Sequence, residues 1–377
     1  MSKILGVGVI GCGNISAAYL KLGPLFKGFE IRAVADIDMA AAEKRAREFG
    51  VEAQTVKDLL KNENIQIVIN LTVPAAHFKV SKQILEAGKH VYSEKPLTLS
   101  VAEAKELQKL AKKKKLAVAS APDTFLGGAH QQARKAIDDG MIGKIASGTA
   151  HVMGHGMEHW HPNPDFFYKP GGGPILDMGP YYIANLINLV GPVTRVAGLS
   201  NTPRKQRLIS SEPRKGDKLK VTTPTTYHAL LEFANGALIT LSASWDVYAH
   251  RHPNMELYGT EGSIFVPDPN FFGGEVIVAG SDTIRKTLAA WDHPFGVSNH
   301  KSSQGDVANY RGAGLADMAQ AIIGKRDIRC GIERMLHVVE VMTSIMKSGE
   351  TGRFVTLKST CKRPAYLGPD EARALLK

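Results

Sequence analysis

Cysteine is nearly missing from this chain: three residues of 377, Cys12, Cys330 and Cys361, far apart in sequence. Spacings that wide give neither a disulfide framework nor a zinc-ligand pattern. Long apolar runs are missing as well. None approaches the ~18 residues that a membrane span needs, so no membrane partner is expected. No charged leader with an apolar stretch and cleavage site opens the chain, and no repeat or low-complexity block interrupts it. A reducing cytoplasm is the expected location.

Acidic residues are outnumbered, 36 against 47 basic ones, which leaves a net charge of +11 and raises nucleic acid as a partner. The one dense basic run, Lys112 to Lys115, closes a helical pattern, where lysines face water and favour the helix's negative end. No basic stripe interleaved with aromatics stands out, so no nucleic-acid partner is expected. A solvated basic surface that helps draw in anionic substrates fits better. With 44% apolar and 22% charged residues, a chain of this length is expected to form two globular domains.

What is present begins with Val7-Gly8-Val9-Ile10-Gly11-Cys12-Gly13-Asn14-Ile15-Ser16. The apolar run from Ile4 to Ile10 reads as a buried strand. A Gly11-x-Gly13-x-x-Ser16 turn and an alanine-rich helical segment follow it. Asp36 ends a second apolar run. Strand, glycine turn, helix, strand and acid in that order are what a dinucleotide site requires. Gly11, Gly13, Asn14 and Ile15 would face a pyrophosphate at the start of a helix, and Asp36 would accept from ribose hydroxyls.

Strand and helix patterns then alternate. Strands are predicted at Ile31–Ala35, Ile65–Leu71, His90–Tyr92 and Leu116–Ala119. Helices are predicted at Met39–Phe49, Phe78–Ala87 and Val101–Lys114. Strands separated by helices of this size imply a doubly wound parallel sheet over residues 1–121. A helix is predicted at Gln131–Asp138, and thereafter strand patterns dominate residues 122–377, from Ala146–Val152 to Ser263–Val266. Asn235-Gly236 marks a hairpin, since that pair suits the turn of a twisted strand pair. Further helices are predicted at Leu315–Ile322 and Ile332–Ser348. Residues 202–223 are polar and basic and read as a long surface loop. The expected fold is α/β: an N-terminal Rossmann-type sheet, then an α/β domain with a large, mostly antiparallel open sheet.

Three further stations carry chemistry. Asn70-Leu71-Thr72-Val73-Pro74-Ala75-Ala76-His77 follows a parallel strand, where ligands of open sheets bind. Thr72, Pro74 and His77 are therefore candidate cofactor contacts, although His77 reads equally well as a helix-start residue. Glu94-Lys95-Pro96 follows the next strand. There Lys95 would reach the same crevice or form only a surface ion pair. Gly171 to Tyr181 joins a glycine run to a helix through Ile187, with Asp177 as a possible cap and Pro180 in the first turn. Asp177 and Tyr181, four apart, share a face if that turn is helical.

These stations, together with Ala87-Gly88-Lys89-His90-Val91 and Gly140-x-x-Gly143-Lys144, resemble the Gfo/Idh/MocA oxidoreductases over nearly the whole chain. The resemblance implies a Rossmann domain followed by an α/β domain whose open sheet often mediates oligomers, here a homodimer or homotetramer. It implies NAD(P)-dependent oxidation or reduction of sugars or cyclic polyols, with Lys95 as the essential lysine and Asp177 and residue 181 completing the site. A cis Lys95–Pro96 bond fits that role, as X-Pro bonds at functional turns are sometimes cis. Many members have His where this chain has Tyr181; a branch with the glucose–fructose enzymes has Tyr. Some carry Asp where this chain has Ala184, which takes away one route for a proton relay.

On this reading Tyr181 is the general acid/base. Lys95 favours its phenolate form and bonds the reacting oxygen, and Asp177 orients substrate or Lys95. Asp36-Ile37-Asp38 would repel a 2′-phosphate, so NAD is expected ahead of NADP. The segment His155-Gly156-Met157-Glu158-His159-Trp160-His161-Pro162-Asn163 has residues that could ligate zinc. Its loop-like context and the resemblance favour a substrate-facing lid without a metal. There Trp160 stacks on a sugar and His161 or Asn163 bonds hydroxyls. Arg311 would supply another contact or pin the domains together. Two other readings stay open: a redox-neutral NAD-dependent glycoside hydrolase or epimerase, and a non-catalytic NAD-sensing regulator.

Overall fold

Branched apolar residues at the start of the chain build a sheet that is buried on both faces. In the computed structural model, which describes residues 4–302 and 305–377, β1 (Leu5–Ile10) is buried at every position. It is followed by α1 (Ser16–Leu22), β2 (Phe29–Ala35), α2 (Met39–Phe49), β3 (Glu52–Ala53), α3 (Val56–Lys61), β4 (Ile67–Asn70), α4 (Pro74–Glu86), β5 (His90–Ser93), α5 (Val101–Lys114) and β6 (Val118–Ser120). All six strands run parallel in the order β3-β2-β1-β4-β5-β6. The chain winds outward from β1 in both directions, so a crevice opens beyond the carboxyl ends of β1 and β4.

Local signals explain the helix ends. The Asp38 side chain accepts from Ala40 N–H at the start of α2, and Gly50, at φ +68°, stops it. Ser100 caps α5, and Lys112, Lys113 and Lys114 occupy its last turn, next to the unpaired carbonyls. Helix α4 starts earlier than the predicted Phe78, because Pro74 fits a first turn that needs no N–H.

The second half adds α6 (Gly128–Asp138), β7 (Ile145–Met153), α7 (Pro174–Asp177), α8 (Gly179–Leu189), β8 (Val193–Asn201), β9 (Gln206–Leu208), β10 (Lys218–Lys220), β11 (Thr226–Phe233), β12 (Leu238–Ser244), β13 (Met255–Gly259), β14 (Ser263–Val266), β15 (Ile277–Ala279), β16 (Lys286–Thr287), β17 (His300–Ser302), β18 (Gly305–Val307), α9 (Ala313–Gly324), α10 (Ile332–Thr351), β19 (Val355–Thr356) and α11 (Pro369–Ala374). Nine of these strands form one sheet in the order β16-β15-β14-β13-β7-β12-β11-β8-β19, antiparallel throughout except for β7 with β12. Asn235-Gly236 makes the β11–β12 turn, with Gly236 at φ +88°. Helix α10 packs on β8 and α8 and also reaches α5, which joins the two halves. The chain end returns to the first sheet: Lys27 N donates to Leu375 O, and Lys377 N to Leu25 O.

Residues 202–223 are not a plain loop. β9 and β10 pair as a hairpin, and Ile209, Leu219 and Val221 form a satellite core with Phe167, Tyr168 and Trp245. Arg207 is buried beneath it, bonded to Glu158 (2.7 Å) and to Asp246. A few apolar side chains at alternate positions suffice to bury one face, and the polar composition around them hides that signal. Among the described residues no helix is long and apolar enough to cross a membrane.

Candidate active site

The crevice is built first from the glycine turn. Gly11 lies at φ +104°, and a Cβ there would sit 2.7 Å from Leu71 O, so glycine is obligatory. A Cβ on Gly13 would meet nothing within 4 Å, which leaves the backbone open to a ligand. Asp36, at the tip of β2, is held by two backbone donors: Cys12 N to Oδ2 (2.7 Å) and Asp38 N to Oδ1 (3.0 Å). A carboxylate fixed by backbone beside an open glycine turn fits the ribose and pyrophosphate of a dinucleotide. Arg45 bonds Gly13 O (3.2 Å) and Glu48 (2.6 Å), so its charge is not free for a 2′-phosphate.

The next two strand ends are locked together. Asn70, buried on β4, accepts from Thr72 Oγ1 (2.7 Å) and donates to His77 O (2.9 Å). The His77 ring lies between two carbonyls, Nδ1 against Pro96 O (2.7 Å) and Nε2 against Thr72 O (2.9 Å). A neutral imidazole can donate to only one of them. Burial nevertheless pulls the His77 pKa below its usual value, with the two carbonyls and Glu94 acting against that pull. His77 thus ties the Thr72 loop to the Lys95–Pro96 turn, which is cis.

Glu94 is buried, accepting from Tyr19 Oη (2.8 Å) and Lys95 N (2.9 Å). Lys95 Nζ donates to Asp177 Oδ1 (2.8 Å) and Asp177 O (2.9 Å), and lies 5.2 Å from the centre of the Tyr181 ring. Burial works against its charge, but Asp177, Tyr181 and Glu94 outweigh that and hold its pKa above the ordinary lysine value. Lys95, paired with Asp177, is therefore an ammonium at neutral pH.

Asp177 does not cap a helix. It ends the short α7, the chain breaks at Met178, and α8 starts at Gly179 with no side-chain cap and Pro180 in its first turn. The break turns Asp177 toward Lys95, where an ion pair replaces the cap bond. Tyr181 receives a hydrogen bond on Oη from Arg311 Nη2 (3.3 Å), which also reaches Asn270 Oδ1 (3.4 Å). The cation bonded to the phenol oxygen is thus Arg311; Lys95 faces the ring.

Asn14, Ile15, Thr72, Pro74, His77, Glu94, Lys95, Asp177 and Tyr181 line one cavity of about 930 Å³. Trp160 and His161, from the 155–163 segment, line it too. Asn163 does not; its Oδ1 accepts from Arg214 Nη1 (3.0 Å), drawn into the cluster of Arg214, Asp165 and Asp217. Arg311 stands behind Tyr181 and is not itself part of the lining. Sequence reasoning missed Phe166, Phe167, Asp268, Asn270 and Phe271 on the cavity wall. Only the prolines that flank Asp268, at 267 and 269, hint that this loop is shaped. His155 and His159 of that segment stack on each other, ring centres 3.9 Å apart. Among the described residues no group of three His, Cys, Asp or Glu side chains is arranged to hold a metal ion.

Comparison with known proteins places this arrangement. Residues 5–121 match the group described as an oxidoreductase family with an NAD-binding Rossmann fold, and residues 130–265 match the GFO/IDH/MocA C-terminal domain. A dTDP-3,4-didehydro-2,6-dideoxy-alpha-D-glucose 3-reductase from Saccharopolyspora spinosa is 34% identical over 273 residues, 71% of this chain and 75% of that protein. An oxidoreductase from Schizosaccharomyces pombe is 32% identical over 193 residues, where this chain spans about half of that relative's length, 51%. A solved levoglucosan dehydrogenase, in complex with NADH and L-sorbose, superposes with a TM-score of 0.80 over 95% of this chain and 100% of that one, at 24% identity, a likeness of fold. A glycine turn with its acid on the first sheet, joined to this second sheet and matched in both halves, makes the chain a member of the Gfo/Idh/MocA family of NAD-binding oxidoreductases.

Proposed function

We propose that this protein is an NAD-dependent dehydrogenase or reductase of a sugar, glycoside or cyclic polyol. The observation that carries the reading is the convergence of Lys95, Asp177 and Tyr181 on the cavity that Asn14 and Thr72 also line. Residues 1–121 hold the cofactor, and residues 122–377 hold the substrate and subunit contacts. NAD, when bound, accepts or returns the hydride.

The protein's own groups handle the alcohol oxygen and its proton. Asp177 occupies two of the three N–H donors of Lys95, which leaves one for the oxygen of the reacting carbon. A fixed ammonium there stabilises the negative charge that develops on that oxygen. Tyr181 as phenolate takes the hydroxyl proton in oxidation, and as phenol it gives that proton back in reduction. Arg311 holds its phenol oxygen in place.

Purified protein incubated with a panel of sugars, glycosides and inositols, in the presence of NAD or NADP, should show nicotinamide absorbance changing with at least one of them. With that compound NAD should give the higher kcat/KM, because Asp36 and Asp38 oppose a 2′-phosphate. A strong NADP preference would remove the role given to Asp36. If NAD stays on the protein and glycoside is cleaved or epimerised without net NADH, the redox-neutral reading replaces the dehydrogenase.

The same reading includes a homo-oligomer. Leu199, Leu230, Leu238 and Phe354 stand exposed at 55–70% on the open face and edge of the large sheet. Apolar side chains so close together favour burial against a second copy. Light scattering should give a dimer or tetramer mass; a monomer at micromolar concentration overturns this part. The three unpaired cysteines agree with a cytoplasmic protein.

A further inference from the structure

The cavity has two unlike walls. On the lid side, Trp160 and Phe166 are 54% and 44% exposed, and the His161 ring braces both edge-on at 5.2 and 5.4 Å between centres. Two large aromatic faces left open to water at a cavity mouth are suited to an apolar ring face. The loop after β14 adds Asp268 and Asn270 to the lining of the same cavity.

Asp268 is only half used by the protein. Its Oδ1 accepts from Asn270 N (3.0 Å) and Tyr182 Oη (3.2 Å), and Tyr182 in turn accepts from Asn254 Nδ2 (3.0 Å). Its Oδ2 has no donor among the described residues. Burial raises the Asp268 carboxyl above the usual range, against the opposing pull of its two donors. Asn270 Oδ1 accepts from Arg311 Nη2, the nitrogen that also donates to Tyr181 Oη, and the Asn270 amide NH₂ has no acceptor among the described residues. A free carboxyl oxygen and a free amide thus lie close to the proton-moving phenol.

The charge of the cavity points the same way. Glu94, Asp177 and Asp268 are its carboxylates, and Lys95, already bonded to Asp177, is its single Lys or Arg. The chain as a whole carries +11, yet this cavity is acidic. An anionic group entering it finds the one lining cation already paired with Asp177, and it meets Asp268 on the wall.

Resting on the dehydrogenase reading above, we propose that Asp268 and Asn270 are the hydroxyl-reading residues of this site. The substrate is then an uncharged saccharide whose hydroxyls bond this pair while a ring face or second ring lies on Trp160 and Phe166. Sugar phosphates, nucleotide sugars and uronates are excluded. The overall positive charge does not set the substrate's charge; the local acidic wall does.

The test uses the full-length protein with NAD and matched compounds: glucose, methyl and phenyl glucosides and a disaccharide, against glucose 6-phosphate, glucuronate and UDP-glucose. The neutral set should exceed the anionic set by about 100-fold or more in kcat/KM. Asp268→Asn keeps an acceptor for Tyr182 and Asn270 N. It should raise KM for the best neutral substrate at least about 10-fold with kcat within about 3-fold, since binding rather than chemistry is removed. Its NADH affinity, read by fluorescence, and its melting temperature should match the parent. Trp160→Ala should raise KM for the phenyl glucoside and disaccharide more than for glucose. Preference for an anionic member, or an Asp268→Asn enzyme with parental KM, overturns this proposal and leaves the dehydrogenase reading standing. No nicotinamide change with any compound overturns both.

Discussion

A Tyr181→Phe enzyme should turn over its best substrate at least about 100-fold more slowly than the parent, the usual scale for a positioned acid–base group. The substitution removes one oxygen and little else. The Tyr181 ring is 6% exposed and packs in the core, and Lys95 Nζ faces it at 5.2 Å, a contact that phenylalanine keeps. What is lost is the hydroxyl that Arg311 holds at 3.3 Å. Steady-state kcat falls, while NADH affinity and melting temperature stay near parental values. In oxidation Lys95 cannot take over as the base, because it is an ammonium at neutral pH. Full activity in this variant means that the proton leaves by another group, and Asp177 would be the next to replace.

Acid should weaken the fold sharply over a window set by three buried histidines. His130, His293 and His337 are each pulled by burial to a pKa of about 4. Their hydrogen bonds show why the neutral ring is preferred. The two His130 nitrogens meet Phe271 O (2.8 Å) and Asn185 Nδ2 (3.1 Å), one acceptor and one donor. His293 meets Leu367 O and Phe295 N–H. His337 meets Ser359 Oγ and Val193 N–H. In each case a second ring proton would point at an N–H.

The sign follows from proton counting. Between about pH 6.5 and 4 the unfolded chain binds a proton at each of these histidines and the folded protein does not, so stability falls as pH falls. Each histidine should cost about 2 kcal/mol by pH 5 and about 3 kcal/mol below pH 4, set against a typical total of about 5–15 kcal/mol. Asp123 and Asp268, raised by burial, act in the opposite sense and offset part of the loss. Urea unfolding at pH 7 and pH 5 measures the difference. Equal midpoints and slopes at the two values would show that these rings are not held neutral.

Much of the first half is legible because its signals are local. The Val101–Lys114 helix is read to the residue, since Ser100 caps it and lysines close it. The glycine turn and Asp36 are visible as a pattern, because a backbone that must approach a phosphate needs glycine at a fixed place in the chain. The Asn235-Gly236 turn is visible for the same reason. Residues 202–223 read as a loop because Ile209, Leu219 and Val221 find their partners in Phe167, Tyr168 and Trp245, which no local pattern links to them.

Sequence alone therefore determined the parallel sheet, the place of the cofactor turn and the names of Lys95, Asp177 and Tyr181, all of which rest on short-range stereochemistry or on recognisable motifs. Tertiary structure decided what those names mean. It turned Asp177 from cap to ion-pair partner, gave the phenol oxygen to Arg311 rather than Lys95, took Asn163 to Arg214, and brought Asp268 and Asn270 to the cavity. Bonds of that kind join residues 51 to 130 positions apart. Which charge meets which oxygen depends on how two sheets and a returning helix pack, and no local pattern encodes that.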